Sequence, residues 1–457
     1  MSITKFSNAF LVGSFNGMLK PKQLENDKKW KRIIISEQSY NDLCSMFYQS
    51  HIDAMVETGR TNWFKGNLLK DGEGHLKPSF LRNLRHYQYI VEGDAGRIDV
   101  CTTEYKQHNE IIVKPFVDYK MSISSLHIFF FPLEIVLFAL EIDDSESSVN
   151  TNYTEAHQLL RTWAWTGNKQ FSNSTKMQFG KVLSPLTELL PNHILKDLIS
   201  EGNKMKLFQI IHLTDEELFN DETLYEIATC SPIGVAGSND YMAPSQDYYD
   251  SILKSNRISV FKNWTGMALF DSFTVIGYGK EFNVWPFTNL YFQYVYLRNV
   301  FEKEFCFSRN NAYRLNKVKG DLPTDIALME KYYFYDNISH NFLPNLLYQT
   351  IAKGLNVKEE RELLSRQIKE KEESKNNRLL AFVSVFAVFS IAFDLYSILK
   401  AWLHNNIYWT DILMVDWDAM SSLNKSEEMP LLAFVLTLLA FAVSSWFVKL
   451  IYKHRKV

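Results

Sequence analysis

The sequence predicts a mixed α and β body, then a long charged helix, then two transmembrane helices at the C-terminus. Two apolar runs, 379–403 and 431–451, stand within the last 79 residues, and a charged segment without Pro or Gly, 357–378, precedes the first. Upstream, the apolar segments are short, which is typical of strands and short helices. The expected fold class is therefore an α+β or α/β cytosolic domain, a stalk helix and two membrane spans.

Composition narrows the classes of partner. The chain has 457 residues and a formal net charge of −3, so no global basic field indicates nucleic acid, and no direct nucleic-acid partner is expected. Its four cysteines are far apart and form no C-x-x-C pair, which disfavours a zinc site or a disulfide framework and favours a reducing cytosol. The N-terminus has no pattern of a cleaved signal peptide.

The body, 1–336, is expected to hold several core strands. The apolar segment 126–142 is divided by Pro132 and Glu134, and it predicts two adjacent strands joined near that proline. Further strands are predicted over 207–213, 257–264 and 268–279. Helices are predicted from Thr154, around residue 190 and from Pro286, and the polar segment 143–152 is a candidate subdomain boundary.

The stalk, 337–378, precedes the first apolar run. Residues 357–378 contain seven basic and six acidic residues, a composition that predicts a solvated helix with pairs three and four residues apart. Apolar residues at spacing four upstream extend the pattern, so one rod is expected from Pro344 to Leu403. Such a rod transmits a signal to the membrane, or it is a passive spacer.

Both apolar runs are long enough for a membrane span, because about 20 helical residues cross about 30 Å of hydrocarbon. Basic residues lie before the first run and after the second, including the tail 452–457, so both termini are expected in the cytosol. The expected localisation is the inner (cytoplasmic) membrane, as a multi-pass protein. The alternative is a pair of buried core helices.

Acidic residues in this region are the candidates for a pore. Asp394 is a carboxylate within the first run, where it is expected to face a pore or another helix, or to reach the interface. The connecting loop, 404–430, adds Asp411, Asp416 and Asp418, which would concentrate cations at an outer mouth. Acidic residues that are merely tolerated outside the membrane are the alternative.

The body has no catalytic motif. It lacks a phosphate-binding loop, H-E-x-x-H, G-x-S-x-G and a dinucleotide fingerprint, so no enzyme and no resident cofactor are predicted, and metal ligands are unassigned. Arginines near aromatic residues are candidates for a nucleotide ligand, since guanidinium groups bind phosphate and stack on bases. These are Arg82, Arg85, Arg97 and Arg161, and ordinary surface arginines are the alternative.

The order of body, long helix, first span, short outer loop, second span and basic tail resembles the CorA family of divalent-cation channels. The resemblance covers 337–457 by architecture, and it implies a homo-oligomer, in that family a pentamer, with the first span lining the pore. The Gly-Met-Asn motif of the family is missing from 394–409. In this the chain is similar to a divergent branch that accompanies type III CRISPR systems, whose members are implied to be membrane effectors.

The resemblance leads to a functional expectation. The chain is expected to be an ion channel or membrane effector in antiviral defence, gated by a nucleotide second messenger. A divalent-cation (Mg²⁺) transporter and a membrane-anchored scaffold without a pore are the alternatives. The ligand, the ion and the subunit number are not specified by the sequence.

Overall fold

The computed structural model divides into two units, Met1–Leu364 and Ser365–Val457. It describes residues 4–405, with gaps at 17–18, 56–83, 102–104, 108–109, 114–118, 134, 144–171, 190–204, 214, 231–243, 280–287 and 315–321.

Strands and helices are numbered in chain order. The strands are β1 Thr4–Asn16, β2 Trp30–Ile33, β3 Arg85–Ile90, β4 Arg97–Val100, β5 Tyr105–Gln107, β6 Glu110–Val113, β7 Tyr119–Phe130, β8 Ile135–Ile142, β9 Lys206–Leu213, β10 Arg257–Ile258, β11 Trp264–Ala268 and β12 Ser272–Tyr278. The helices are α1 Pro21–Glu25, α2 Glu37–Met46, α3 Gln49–Met55, α4 Asn173–Thr187, α5 Asp221–Thr229, α6 Gln246–Asn256, α7 Thr288–Arg314, α8 Leu322–Tyr332, α9 Phe342–Gly354 and α10 Val357–Asn405.

A mixed sheet of ten strands organises the first unit. Its order is β10-β11-β12-β9-β1-β8-β7-β3-β2, with β4 also paired to β7, while β5 and β6 form a separate hairpin. The pairing of β9 with β12 is parallel, and the other ladders of the sheet are antiparallel. Strand β1 therefore lies near the middle, between β8 and β9, and is buried on both faces.

Alternation along the strands divides the apolar residues between the two faces of the sheet. On one face, Ala9 and Leu11 of β1 belong to a core that also contains Phe179 of α4 and Leu224 of α5. Serine and asparagine side chains cap the helices that cover this face, with Ser172 accepting from the backbone N–H of Thr175 at the start of α4. Burying this face supplies a large part of the hydrophobic core.

The opposite face packs against α7. Phe208 of β9 and Phe273 of β12 lie 5.4 and 5.9 Å, centroid to centroid, from the ring of Tyr296 on that helix. Phe10 of β1 lies 6.1 Å from Phe208. The aromatic residues hold α7 against the middle of the sheet, and the functional candidates below lie beside this contact.

Several sequence predictions for the body are confirmed. The segment 126–142 forms β7 and β8, which pair with each other across the turn at Pro132. Strand β9 and strand β12 match the predicted strands 207–213 and 268–279, and α7 matches the helix predicted from Pro286. The strand predicted over 257–264 is wrong, because β10 ends at Ile258 and β11 begins at Trp264. The helix predicted from Thr154 lies outside the described residues, as does nearly all of the boundary 143–152.

The rod expected from Pro344 to Leu403 is interrupted. Helix α9 ends at Gly354 and α10 begins at Val357, and between them Asn356 has a positive φ of 56°. A left-handed residue ends the hydrogen-bonding pattern of a helix, and Asn tolerates this conformation better than most residues. The charged segment 357–378 lies within α10.

The predicted fold class is wrong in its C-terminal part. Among the described residues, no helix combines the length and the apolar character that a membrane crossing requires. On α10 the uninterrupted apolar run, 379–393, ends at Asp394, and it covers about 22 Å of helix against about 30 Å of hydrocarbon. The predicted span 379–403 and the predicted inner-membrane, multi-pass localisation are corrected accordingly. The second predicted span, 431–451, and the tail 452–457 lie outside the described residues.

Candidate functional site

A cavity of about 160 Å³ lies between the sheet and α7. For comparison, a protein cavity of about 150 Å³ accommodates a benzene molecule. The polar lining residues are Gln88 and His86 of β3, His127 of β7, Glu141 of β8 and Gln293 of α7, and the others are Phe10, Val12, Phe129, Ala139, Phe208, Tyr296 and Leu297. A mixture of aromatic walls and a few polar groups is typical of small-molecule sites.

The strand register brings the polar groups together. Ser125 pairs with Glu141 across β7 and β8, and His127, two residues further along β7, lies on the same face. On the other side of β7, Gln88 of β3 pairs with His127 and His86 pairs with Phe129. Three neighbouring strands thus contribute to one polar cluster, His86–Ser125–His127–Glu141, on the sheet face that packs against α7.

Hydrogen bonds join the four side chains in a chain. Nε2 of His86 lies 2.8 Å from Nδ1 of His127. Nε2 of His127 lies 2.8 Å from Oγ of Ser125 and 3.1 Å from Oε2 of Glu141. The hydroxyl of Ser125 also donates to Oε2 of Glu141. The ring of His86 stacks on Phe129 with centroids 4.3 Å apart, which fixes the plane of the imidazole.

One assignment of protons satisfies this chain. The carboxylate of Glu141 accepts, so Nε2 of His127 is the donor, and in a neutral His127 ring Nδ1 is then an acceptor. Nε2 of His86 then donates to His127, and Nδ1 of His86 is left with a lone pair. Among the described residues no hydrogen bond to Nδ1 of His86 is found. The chain therefore ends in an acceptor at the cavity.

The charge states follow from the surroundings. Burial lowers the pKa of His86 well below its usual value, and the neighbouring His127 lowers it further. Burial raises the pKa of Glu141, but hydrogen bonds from His127 and Ser125 outweigh that effect and leave it below its usual value. At neutral pH the cluster therefore combines a neutral imidazole acceptor with an ionised carboxylate, of which 30% of the side chain is exposed.

These groups select for the charge of a ligand. Among the described residues that line the cavity there is neither a Lys nor an Arg. A phosphate or carboxylate placed there would meet the negative charge of Glu141 without a compensating cation. A planar molecule that is neutral or positively charged, and that donates hydrogen bonds from N–H groups, matches both the aromatic walls and the two acceptors.

A second polar cluster lies along α7, further toward its C-terminus. Glu302 is fully buried, and its carboxylate accepts from the hydroxyl of Tyr348 on α9 at 2.9 Å. Nε of Arg298 lies 3.2 Å from this carboxylate, and Nη2 of Arg361 on α10 lies 3.4 Å from it. Burial raises the pKa of Glu302, and the two guanidinium groups oppose that effect. This cluster joins three helices within the first unit.

The two described arginines that were predicted to bind a ligand are absent from the described lining of the cavity. Arg85 lies on β3, with its Nη1 3.8 Å from the carboxylate of Glu25, which also accepts from the hydroxyl of Tyr87. Arg97 pairs at 2.9 Å with Asp94, and 76% of its side chain is exposed. Arg82 and Arg161 lie outside the described residues. The structure thus places neither of the two described arginines at the site.

The predicted pore residues are described only in part. Asp394 lies on α10 with an exposed side chain, directly after the apolar run. The other candidates, Asp411, Asp416 and Asp418, lie outside the described residues, as does the loop from residue 406 onward. Among the described residues no group of three or more His, Cys, Asp or Glu side chains is arranged to hold a metal ion.

Sequence reasoning missed the cluster because 126–142 was interpreted as core strands alone. A signal was present: Ser125 and His127 alternate along β7, and Glu141 interrupts an apolar run in β8. Polar residues at period two on a strand with apolar neighbours indicate a polar patch on one buried face.

Comparisons of this chain with protein-family models, with curated proteins and with solved structures give no match.

Proposed function

We propose that the first unit, Met1–Leu364, binds a small planar molecule, neutral or positively charged, in the cavity between the sheet and α7. The observation that carries this proposal is the hydrogen-bonded chain from Glu141 through His127 to His86, which ends in an unused acceptor at the cavity. Burying such a chain costs free energy, because polar groups lose water on folding. A ligand that donates to His86 and balances the charge of Glu141 offsets that cost.

This proposal keeps one part of the sequence-based expectation, that the body senses a small ligand. The cavity favours a planar N–H donor over a phosphate, so a nucleotide messenger stays a prediction that rests on the sequence alone. The oligomeric state and the roles in antiviral defence or Mg²⁺ transport likewise stay predictions. No catalytic step is assigned to the cluster.

The test is a calorimetric titration of the full chain with two probes of similar shape and opposite charge, benzamidine and benzoate. We expect benzamidine to bind and benzoate not to bind at the same concentrations. Glu141→Gln keeps the size of the side chain and removes its charge. We expect it to weaken benzamidine about tenfold to a hundredfold, as is typical for the loss of a hydrogen bond to a charged group.

The matched control is Glu217→Gln, since Glu217 is an exposed glutamate away from the cavity lining. It should leave the affinity unchanged. Binding of benzoate as tight as that of benzamidine, or equal affinities of benzamidine for wild type and Glu141→Gln, would contradict the proposal.

A further inference from the structure

Lys303 is a buried lysine that the proposed function does not use. Its side chain lies on α7 with 5% of the residue exposed. Its Nζ has no hydrogen-bond partner among the described residues. A buried ammonium group without a partner is costly, and such lysines release their proton more readily than exposed ones.

Charged groups surround this amine. Burial and, next, the charge of Lys206 lower the pKa of Lys303 to about 7, while the carboxylates of Glu304, Glu360 and Asp271 oppose the shift. The carboxylate of Glu304 is also paired with Lys206, at 2.6 Å. At neutral pH a large share of the Lys303 amine is therefore unprotonated, and an unprotonated amine is a nucleophile.

An aromatic ring covers the amine. Nζ of Lys303 lies 3.4 Å from the centroid of the Phe270 ring. Phe270 stands in the short turn between β11 and β12, and 53% of the residue is exposed. The ring attracts the protonated form of the amine, but as a half-exposed side chain in a turn it changes rotamer on the picosecond to nanosecond scale.

We propose that Lys303 is a site of covalent modification by small carbonyl compounds, which reach its amine when the Phe270 side chain turns aside. The inference is independent of the ligand cavity. It combines a buried amine without a hydrogen-bond partner, a second lysine beside it and a movable aromatic cover.

The reaction is a condensation. The lone pair of Nζ attacks the carbonyl carbon of an aldehyde and forms a carbon–nitrogen bond, and a proton passes from nitrogen to the carbonyl oxygen. Loss of one water molecule gives the imine. A hydride reagent that is added in the experiment reduces the imine to a stable secondary amine.

The experiment labels the full chain at pH 7 with limiting propionaldehyde and sodium cyanoborohydride and maps the adducts by peptide mass spectrometry. An ordinary lysine, with a pKa near 10.4, is unprotonated in only about one molecule in 2,500 at pH 7. We expect the initial labelling rate at Lys303 to exceed that at the exposed Lys254 at least tenfold, even though the Phe270 ring shields the Lys303 amine for part of the time.

Two variants test the cover. Phe270→Ala should raise the labelling rate of Lys303 severalfold and leave Lys254 unchanged. Phe307→Ala removes another exposed phenylalanine, one that lies on α7, and should leave both rates unchanged. Labelling of Lys303 that is no faster than that of Lys254, or equal effects of the two alanine variants, would overturn the proposal. Phe270→Ala is also titrated with benzamidine. It should bind benzamidine as the wild type does if the ligand cavity is intact, whatever the labelling of Lys303 shows.

Discussion

Two polar clusters, one on the strands beside helix α7 and one on that helix, differ in whether their acceptors are used. In the cluster around Glu302, the carboxylate is fully buried and is engaged by Tyr348, Arg298 and Arg361. At the cavity, the carboxylate of Glu141 is partly exposed and the chain it begins ends in a free lone pair on His86. The first arrangement is closed, and the second is open to another molecule.

The difference shows that buried charge alone does not identify a binding site. Both clusters contain an acidic residue and basic partners, and both hold residues with shifted pKa values. The Glu302 cluster uses its groups to join helices α7, α9 and α10. The cavity cluster leaves capacity for hydrogen bonding beside empty volume, and for this reason it is the candidate site.

The largest effect is expected from the closed cluster. Glu302→Gln leaves the buried guanidinium group of Arg298 and the partly exposed one of Arg361 without this carboxylate. Loss of one partner from a buried ion pair costs about 3–5 kcal/mol. Urea denaturation followed by circular dichroism measures the change. Glu359→Gln, at an exposed position of α10, should change the stability by less than about 0.5 kcal/mol. If Glu302→Gln changes the stability as little as Glu359→Gln does, the Glu302 cluster does not hold helices α7, α9 and α10 together.

A somewhat smaller effect is expected where α9 meets β11. A Cβ added at Gly354 would lie 2.6 Å from the backbone oxygen of Ala268, so Gly354→Ala forces the backbones apart and costs about 1–3 kcal/mol. Gly180→Ala is the matched change, because nothing lies within 4 Å of its added Cβ. Within α4 it should stabilise by up to about 1 kcal/mol. Thermal denaturation of both variants would sharpen the comparison, and a stabilising Gly354→Ala would contradict the packing.

The open cluster should make stability depend on pH. His86 has a lowered pKa in the folded state, so the unfolded chain binds more protons below pH 6.5 and stability falls as the pH decreases from there. The slope from one such group reaches about 1.4 kcal/mol per pH unit. His86→Gln should reduce the slope between pH 6.5 and 5, and His340→Gln, an exposed histidine, should not. Parallel curves for wild type and His86→Gln would show that His86 is not buried as a neutral imidazole.

The smallest effect is expected at Arg97, a ligand candidate from the sequence. Its pair with Asp94 is exposed, and such pairs contribute about 0–1 kcal/mol. Arg97→Ala should therefore change stability by less than about 1 kcal/mol and leave benzamidine affinity unchanged. If calorimetry shows that Arg97→Ala binds benzamidine more weakly, Arg97 contributes to the binding site and the cavity is not that site.

Of the strands that line the cavity, the sequence predicts β7, β8 and β9 but neither β1 nor β3, and it does not predict the cavity. The two strands in 126–142 and helix α7 follow from apolar runs and from proline positions, which are local signals. The cluster depends on register, because Ser125 meets Glu141 and Gln88 meets His127 only after three strands pair. The turn at Pro132 fixes the register of β7 and β8, whereas the pairing of β3 with β7 joins segments that are far apart in the sequence and follows from no local pattern.

Two predictions for the C-terminal part of the chain, the first membrane span and the uninterrupted rod, are wrong because they also rest on local patterns. Hydropathy suggested a span over 379–403, but the apolar run on α10 ends at Asp394. The rod from Pro344 was interrupted by the left-handed Asn356, a conformation that no composition rule requires at that position. Of the arginines that the sequence suggests as nucleotide contacts, Arg85 and Arg97 lie near carboxylates, and a nucleotide ligand stays a prediction.

The proposal that the cavity binds the ligand is tested most directly by nuclear magnetic resonance of the full chain with ¹⁵N-labelled histidine, recorded at pH 7 with and without benzamidine. We expect a neutral His86 ring with an unprotonated Nδ1. The resonance of this nitrogen should shift when benzamidine is added to the wild type, and it should not shift in Glu141→Gln at the same concentration. A protonated His86, or an Nδ1 resonance that does not respond while benzamidine binds, would contradict the assignment of the cavity as the ligand site.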